Sequence, residues 1–151
     1  MKKITPFLWF DTQAEDAMNF YISIFKNSKV LSVAPGPNGI ASSVSFELEG
    51  QEFIAFNAGP EFKFNEAISF FVDCKTQAEV DELWAKLSAG GKEGQCGWVK
   101  DKYGLWWQII PAALGELMGD KDPVKAKRVV DAMLKMNKIE INLLKQAYDQ
   151  K

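Results

Sequence analysis

Ile68-Ser69-Phe70-Phe71-Val72-Asp73-Cys74-Lys75-Thr76-Gln77-Ala78-Glu79 decides the fold, because a shorter form of it has already passed as Phe7-Leu8-Trp9-Phe10-Asp11-Thr12-Gln13-Ala14-Glu15. Each copy is an apolar run of strand length closed by Asp, then a Thr with Glu three residues on. That spacing is the capping-box signature of a helix start, so Thr12 and Thr76 are the expected caps. The chain therefore repeats a strand-to-helix unit. A module repeated within one small domain is expected to place its functional surface between the copies.

Working outward from the first copy, residues 4–10 predict a strand, and Ala14, Ala17, Met18, Tyr21, Ile22 and Phe25 recur at helical spacing. Residues 30–34 predict a second strand before the turn Pro35-Gly36-Pro37-Asn38-Gly39. Residues 43–48 alternate, Glu49-Gly50-Gln51 reads as a hairpin turn, and residues 52–57 complete a β-α-β-β-β module. From the second copy, residues 67–72 predict a strand, and Ala78, Val80, Leu83, Trp84 and Leu87 line a helix stopped at Gly90-Gly91. Residues 97–100 form a short strand, Asp101-Lys102-Tyr103-Gly104 a tight turn, and residues 105–110 the last strand, ended by Pro111. The middle strand of this half is weakly written. Beyond Pro111 the pattern is helical: residues 112–118, then one long segment from Pro123 to about Tyr148 with Val124, Val130, Met133, Leu134, Ile141 and Leu144 on its apolar face. That face suits core or dimer packing.

The length of 151 residues predicts a single domain: module one over about 1–60, module two over about 61–111 and a helical tail over 112–151. A net charge of -2 gives no general reason to bind a polyanion, so nucleic acid is not an expected partner. Lys2-Lys3 and the apolar run after it resemble the start of a signal peptide, but Asp11 ends the run too early, and no segment is long enough to cross a bilayer. Cys74 and Cys96 lack CxxC spacing and read as reduced thiols, and a cytoplasmic protein that does not engage a membrane is expected.

The phrases Phe64-Asn65-Glu66-Ala67-Ile68-Ser69-Phe70, Cys96-Gly97-Trp98, Asp101 through Pro111 and Ala132-Met133-Leu134-Lys135-Met136 resemble the PhnB-like branch of the vicinal-oxygen-chelate superfamily, which holds the glyoxalases and bleomycin-resistance proteins. More narrowly, they look like the small proteins grouped as 3-demethylubiquinone-9 3-methyltransferase domains. The resemblance implies an α+β fold of two βαβββ modules curved into a cupped mixed sheet, a small organic molecule or a metal in the cup, and a homodimer. In metal-using relatives, one ligand comes from each opening strand and one from each module's last strand. Those positions fall on Thr5 and Ala67, on Gln108, and near Ile54 or Ala55. The chain contains no histidine, and such a set offers a divalent cation no imidazole and no carboxylate. No metal and no cofactor is therefore expected. Methyl transfer from an adenosyl donor usually relies on a glycine-rich strand-to-helix turn in a doubly wound sheet, and none follows a strand here.

Alternation along the last strand puts Trp106, Gln108 and Ile110 on one face and Trp107 and Ile109 on the other. The resemblance turns Gln108 into the cup, with Trp106 as a wall able to stack a flat ligand. The bland alternative makes both tryptophans core and satisfies Gln108 with backbone. Trp9 and Ser69 project similarly from the opening strands, and Asn57, at the end of a strand, either bonds ligand or closes its turn. Trp9, Asn57, Ser69, Trp106 and Gln108 are thus the candidate ligand residues. Cys96 has no imidazole to activate it and reads as filler. Glu52, Glu66 and Asp101 are available carboxylates, with no catalytic role assigned. The function these readings support is binding of a small molecule by a protein of this fold that has lost the usual metal site. The alternatives are an enzyme, metal-free or weakly metal-dependent, on a quinone-like or dicarbonyl substrate, and a protein that sequesters a planar drug.

Overall fold

The computed structural model describes residues 2–150. The chain divides into two compact units, and the division falls between Lys63 and Phe64. In the first unit, β1 (Phe7–Phe10) leads to α1 (Ala14–Ile24), β2 (Ser28–Ala34), β3 (Ser43–Leu48) and β4 (Gln51–Asn57). In the second, β5 (Ser69–Cys74) leads to α2 (Gln77–Ser88), β6 (Lys92–Glu93), β7 (Trp98–Lys100) and β8 (Trp106–Pro111), then α3 (Ala112–Met118), α4 (Pro123–Met133) and α5 (Ile141–Asp149). The sheets have the same plan, β1-β4-β3-β2 and β5-β8-β7-β6. In each, the opening strand pairs parallel with the module's last strand and the other pairings are antiparallel. The two-module α+β architecture stands.

One face of each sheet is closed by its own helix. Leu8, Phe10, Val44, Phe46, Leu48, Phe53 and Ala55 are buried on the side of Ala14, Ala17, Met18, Tyr21 and Ile24 of α1. Phe46 stacks on Phe53 with ring centroids 5.4 Å apart. In the second unit α2 lies over β5, β7 and β8, where its Val80, Leu83, Trp84 and Leu87 are buried along with Cys74, Val99, Trp107 and Ile109. This removal of apolar side chains from water is the main favourable term in each half.

Several local expectations are corrected. The first strand begins at Phe7, because Pro6 has no N–H for the ladder. Thr12 does not cap α1: the cap is Gln13, without a side-chain bond, and the Ala14 N–H donates instead to Asn57 Oδ1 at 2.9 Å. Thr76 does cap α2, its Oγ1 accepting the Glu79 N–H at 3.2 Å. The expected long terminal helix is two helices, broken over 134–140 without Pro or Gly. Tertiary hydrogen bonds make the break: Cys96 and Gly97 N–H groups donate to the Met136 and Asn137 carbonyls, and Gln77 bonds Ile139 and Ile141. The tail core is accordingly Val129, Met136, Ile139 and Leu144 with Ile110 and Leu114, while Val124 and Leu134 are exposed.

Asp101 organises the β7–β8 turn. Its carboxylate, 2% exposed, accepts the Tyr103 and Leu105 N–H groups at 2.8 and 3.1 Å and Trp107 Nε1 at 2.9 Å. A buried carboxylate is tolerated when donors surround it in this way. Replacing it strands donors that have no water to turn to. Asp101→Ala is expected to lower unfolding free energy by about 3 kcal/mol, read as a lower urea midpoint at unchanged slope.

Candidate functional site

The pleat of β8 sends Trp107 and Ile109 under α2 and Trp106 and Gln108 to the opposite, uncovered face. The ladder then decides what joins them. Parallel pairing sets Ser69 against Trp106 and Phe71 against Gln108. Antiparallel pairing sets Lys100 against Trp106 and Trp98 against Gln108. Two rows result, Ser69-Trp106-Lys100 and Phe71-Gln108-Trp98, with Asp73 and Ile110 beginning a third.

Within these rows Gln108 Nε2 donates to Ser69 Oγ at 2.9 Å. Trp98 and Trp106 meet edge to face with centroids 6.2 Å apart. Phe71 is 61% exposed. Trp106 Nε1 is buried and, among the described residues, has no hydrogen-bond partner, which is uncommon for a buried donor. Gly94 packs against this group: a Cβ there would lie 3.2 Å from Trp106 Cζ3. The face thus carries flat aromatic surface around a polar pair.

On the first sheet, Trp9 lies opposite Phe56 and Phe7 opposite Ile54, again away from the helix. Trp9 meets Phe56 and Phe62 edge to face at 5.0 and 4.8 Å, and its Nε1 donates to the Gly59 carbonyl at 2.9 Å. Asn57 sits on the other face, opposite Phe10, and both ends of its amide are engaged, Oδ1 with Ala14 N–H and Nδ2 with the Ala41 carbonyl at 2.8 Å. Ser69, Trp106 and Gln108 are therefore brought together, Trp9 lies on the corresponding face of the first unit, and Asn57 holds the start of α1. Phe71, Trp98, Phe56 and Phe62 were not singled out from the sequence. Alternation along β5 puts Phe71 on the face of Ser69, a signal the sequence carries, whereas Trp98 and Phe56 emerge only from strand pairing and Phe62 only from loop folding.

With this geometry in place, comparison with known proteins is decisive on family. The model of the family described as "3-demethylubiquinone-9 3-methyltransferase" matches residues 2–110. The chain belongs to this family. A solved Bacillus cereus PhnB protein, described as a putative 3-demethylubiquinone-9 3-methyltransferase, is 35% identical with a TM-score of 0.70, and the match covers 74% of this chain and all of that one. Protein PA1353 from Pseudomonas aeruginosa is 15% identical with a TM-score of 0.61, covering 74% and 98% of the two chains. The Listeria monocytogenes fosfomycin resistance protein FosX, solved with Mn(II) and sulfate, is 16% identical with a TM-score of 0.52, covering 71% and 90%. The last two likenesses concern the fold, which is that of the vicinal-oxygen-chelate superfamily. No functionally curated protein matches the chain.

The superfamily's divalent cation does not fit the residues found here. Thr5 precedes β1 and its hydroxyl donates to the Lys2 carbonyl; Ala67 has no donor atom; Gln108 offers a neutral amide already bonded to Ser69. Through the repeat, Gln108, which pairs with Phe71, corresponds to Phe56, which pairs with Trp9. The fourth position is thus Phe56, two residues beyond Ile54 on the same face, while Ala55 is buried on the helix side. Thr, Ala, Gln and Phe do not make a site for a hard or borderline dication.

The remaining reactive groups lie elsewhere. Both Asp101 oxygens are engaged on the Trp107 side, and Glu52 accepts the Lys2 N–H at 2.8 Å. The Cys74 thiol is pushed from 9.0 up to about 12 by burial, reinforced by the charges of Glu79 and Asp73. A raised folded value means that this group's stabilising contribution is complete below pH 9.0 and is lost as pH rises toward about 12. Iodoacetamide at pH 8 is expected to leave Cys74 unmodified in the native protein and to alkylate it in urea, as peptide mass spectrometry would show; native labelling would contradict its burial.

Proposed function

We propose that this chain binds a small planar organic molecule on the open face of the β5-β8-β7-β6 sheet, without the divalent cation used elsewhere in the superfamily. The observation that carries this reading is the Gln108–Ser69 pair set among Trp98, Trp106 and Phe71 on the face that α2 leaves uncovered. Because Gln108 donates one N–H to Ser69, its Oε1 and the Ser69 hydroxyl proton are left to meet a ligand carbonyl or hydroxyl. The aromatic side chains supply stacking or edge contact with a flat ring. The Trp106 indole N–H adds a donor whose burial is offset once an acceptor reaches it.

The aromatic face of the first sheet, with Trp9, Phe56 and Phe62, supports a further contact surface of the same kind. A cytoplasmic location and a homodimer belong to the same reading, the homodimer supported by exposed Phe7 on the edge strand β1. Among the described residues, no helix is long and apolar enough to cross a membrane.

Menadione is a suitable probe, being flat, bearing two carbonyls and quenching tryptophan. It is expected to quench the protein saturably, to be recovered unchanged, and to bind equally well with a chelator present. Gln108→Ala is expected to weaken binding about tenfold, the loss of a hydrogen bond in a dry site, with the fold intact by circular dichroism. Binding abolished by the chelator, or unaffected by the substitution, would contradict the reading.

A further inference from the structure

We infer that the C-terminal extension is a latched end wall that limits how far a ligand can reach along the open face of the second sheet, an inference that rests on the ligand surface proposed above. The family match stops at residue 110, before α3, α4 and α5, and the Bacillus cereus relative is covered in full by 74% of this chain. Ile110 shares its face with Trp106 and Gln108 but is only 7% exposed, because Leu114, Val129, Met136, Ile139 and Leu144 enclose it. The first two rows are open; in the third, Ile110 is enclosed by the extension and by Gly97, while Asp73 on the β5 side stays exposed. The strand rise puts this closure roughly 7 Å beyond Gln108, room for a methyl or ethyl group but not for an extended hexyl chain.

The wall is fastened through main chain at 136–141. Cys96 and Gly97 N–H groups donate to the Met136 and Asn137 carbonyls, both at 2.8 Å. Gln77 reads the strap from the other side, Nε2 donating to the Ile139 carbonyl at 3.0 Å and Oε1 accepting the Ile141 N–H at 2.7 Å. Gly97 has φ of 85°, and a Cβ on it would come within 2.7 Å of Ile110 Cδ1 and 3.2 Å of Ile139 Cγ1, so the strap closes only over a residue without a side chain. Ile139 itself is fully buried. Gln77 lies outside the ligand rows, so the wall can be loosened there without touching them, whereas Gly97 also bonds Ile109 of β8.

The test compares menadione with two homologues of 1,4-naphthoquinone, one carrying a single hexyl group and one carrying a hexyl group on each ring, so that one chain must point toward Ile110. The wild-type protein is expected to bind the singly substituted probe like menadione and the doubly substituted one at least about tenfold more weakly. In Gln77→Ala, and separately in Gln77→Leu, hydrogen exchange at the Cys96 and Ile141 amides should quicken while β8 stays protected, and the gap between the two homologues should shrink below about threefold. Equal binding of both by wild type would overturn the wall. So would an undiminished gap in a variant with an open latch, or protection that persists in both variants. If menadione itself does not bind, the ligand surface fails, and the wall with it.

Discussion

A pleated strand cannot turn two successive side chains to the same layer, and in both halves of this chain that constraint separates what the helix covers from what it leaves open. On β8 it places Trp107 under α2 and Trp106 outside, although the two are adjacent and identical in chemistry. What prevents the opposite choice is Asp101, which grips Trp107 Nε1 together with two amides of the turn before the strand. A slip of one residue would bury Gln108 and draw Trp107 Nε1 away from the Asp101 carboxylate. The identity of the open face is therefore decided at a turn, by a carboxylate that itself lies on the helix-covered side.

The first half applies the constraint differently. Trp9 comes from the edge strand β1 and Asn57 from β4 beside it, yet they lie on opposite faces, and Asn57 supplies the first N–H of α1 with the acceptor that Thr12 does not provide. A polar residue at a strand end is thus spent on holding a helix. The aromatic residues Trp9, Phe56 and Phe7 remain outside, touching edge to face. Two sheets with one plan carry different chemistry: apolar rings on the first, rings around an amide and a hydroxyl on the second.

Much of this was legible in the sequence because it depends on period and repetition. The recurrence of an Asp-closed apolar run followed by Thr-Gln-Ala-Glu marks the two modules, and alternation gives the partition of Trp106 and Gln108 from Trp107 and Ile109. What was not legible depends on pairing between distant segments. Trp98 joins Gln108 only through the β7–β8 register, Phe56 replaces Ile54 or Ala55 as the counterpart of Gln108 only through the β1–β4 register, and the tail breaks where Cys96, Gly97 and Gln77 bond it rather than at any helix-breaking residue. The family match shows descent and fold; the chemistry must come from the side chains, and these favour recognition of a flat molecule over coordination of a cation.

The central claim, that ligand meets the uncovered face, is tested most directly by the indole N–H resonances in a nuclear magnetic resonance titration with menadione. Trp84 and Trp107 donate to Glu93 and Asp101 on the helix-covered side, whereas the buried Trp106 Nε1, on the other face of β8, has no hydrogen-bond partner among the described residues. The account predicts that the Trp106 indole signal and the Gln108 side-chain amide signals move while those of Trp84 and Trp107 hold still. Movement confined to Trp84 and Trp107, with Trp106 and Gln108 unmoved at saturation, would contradict it.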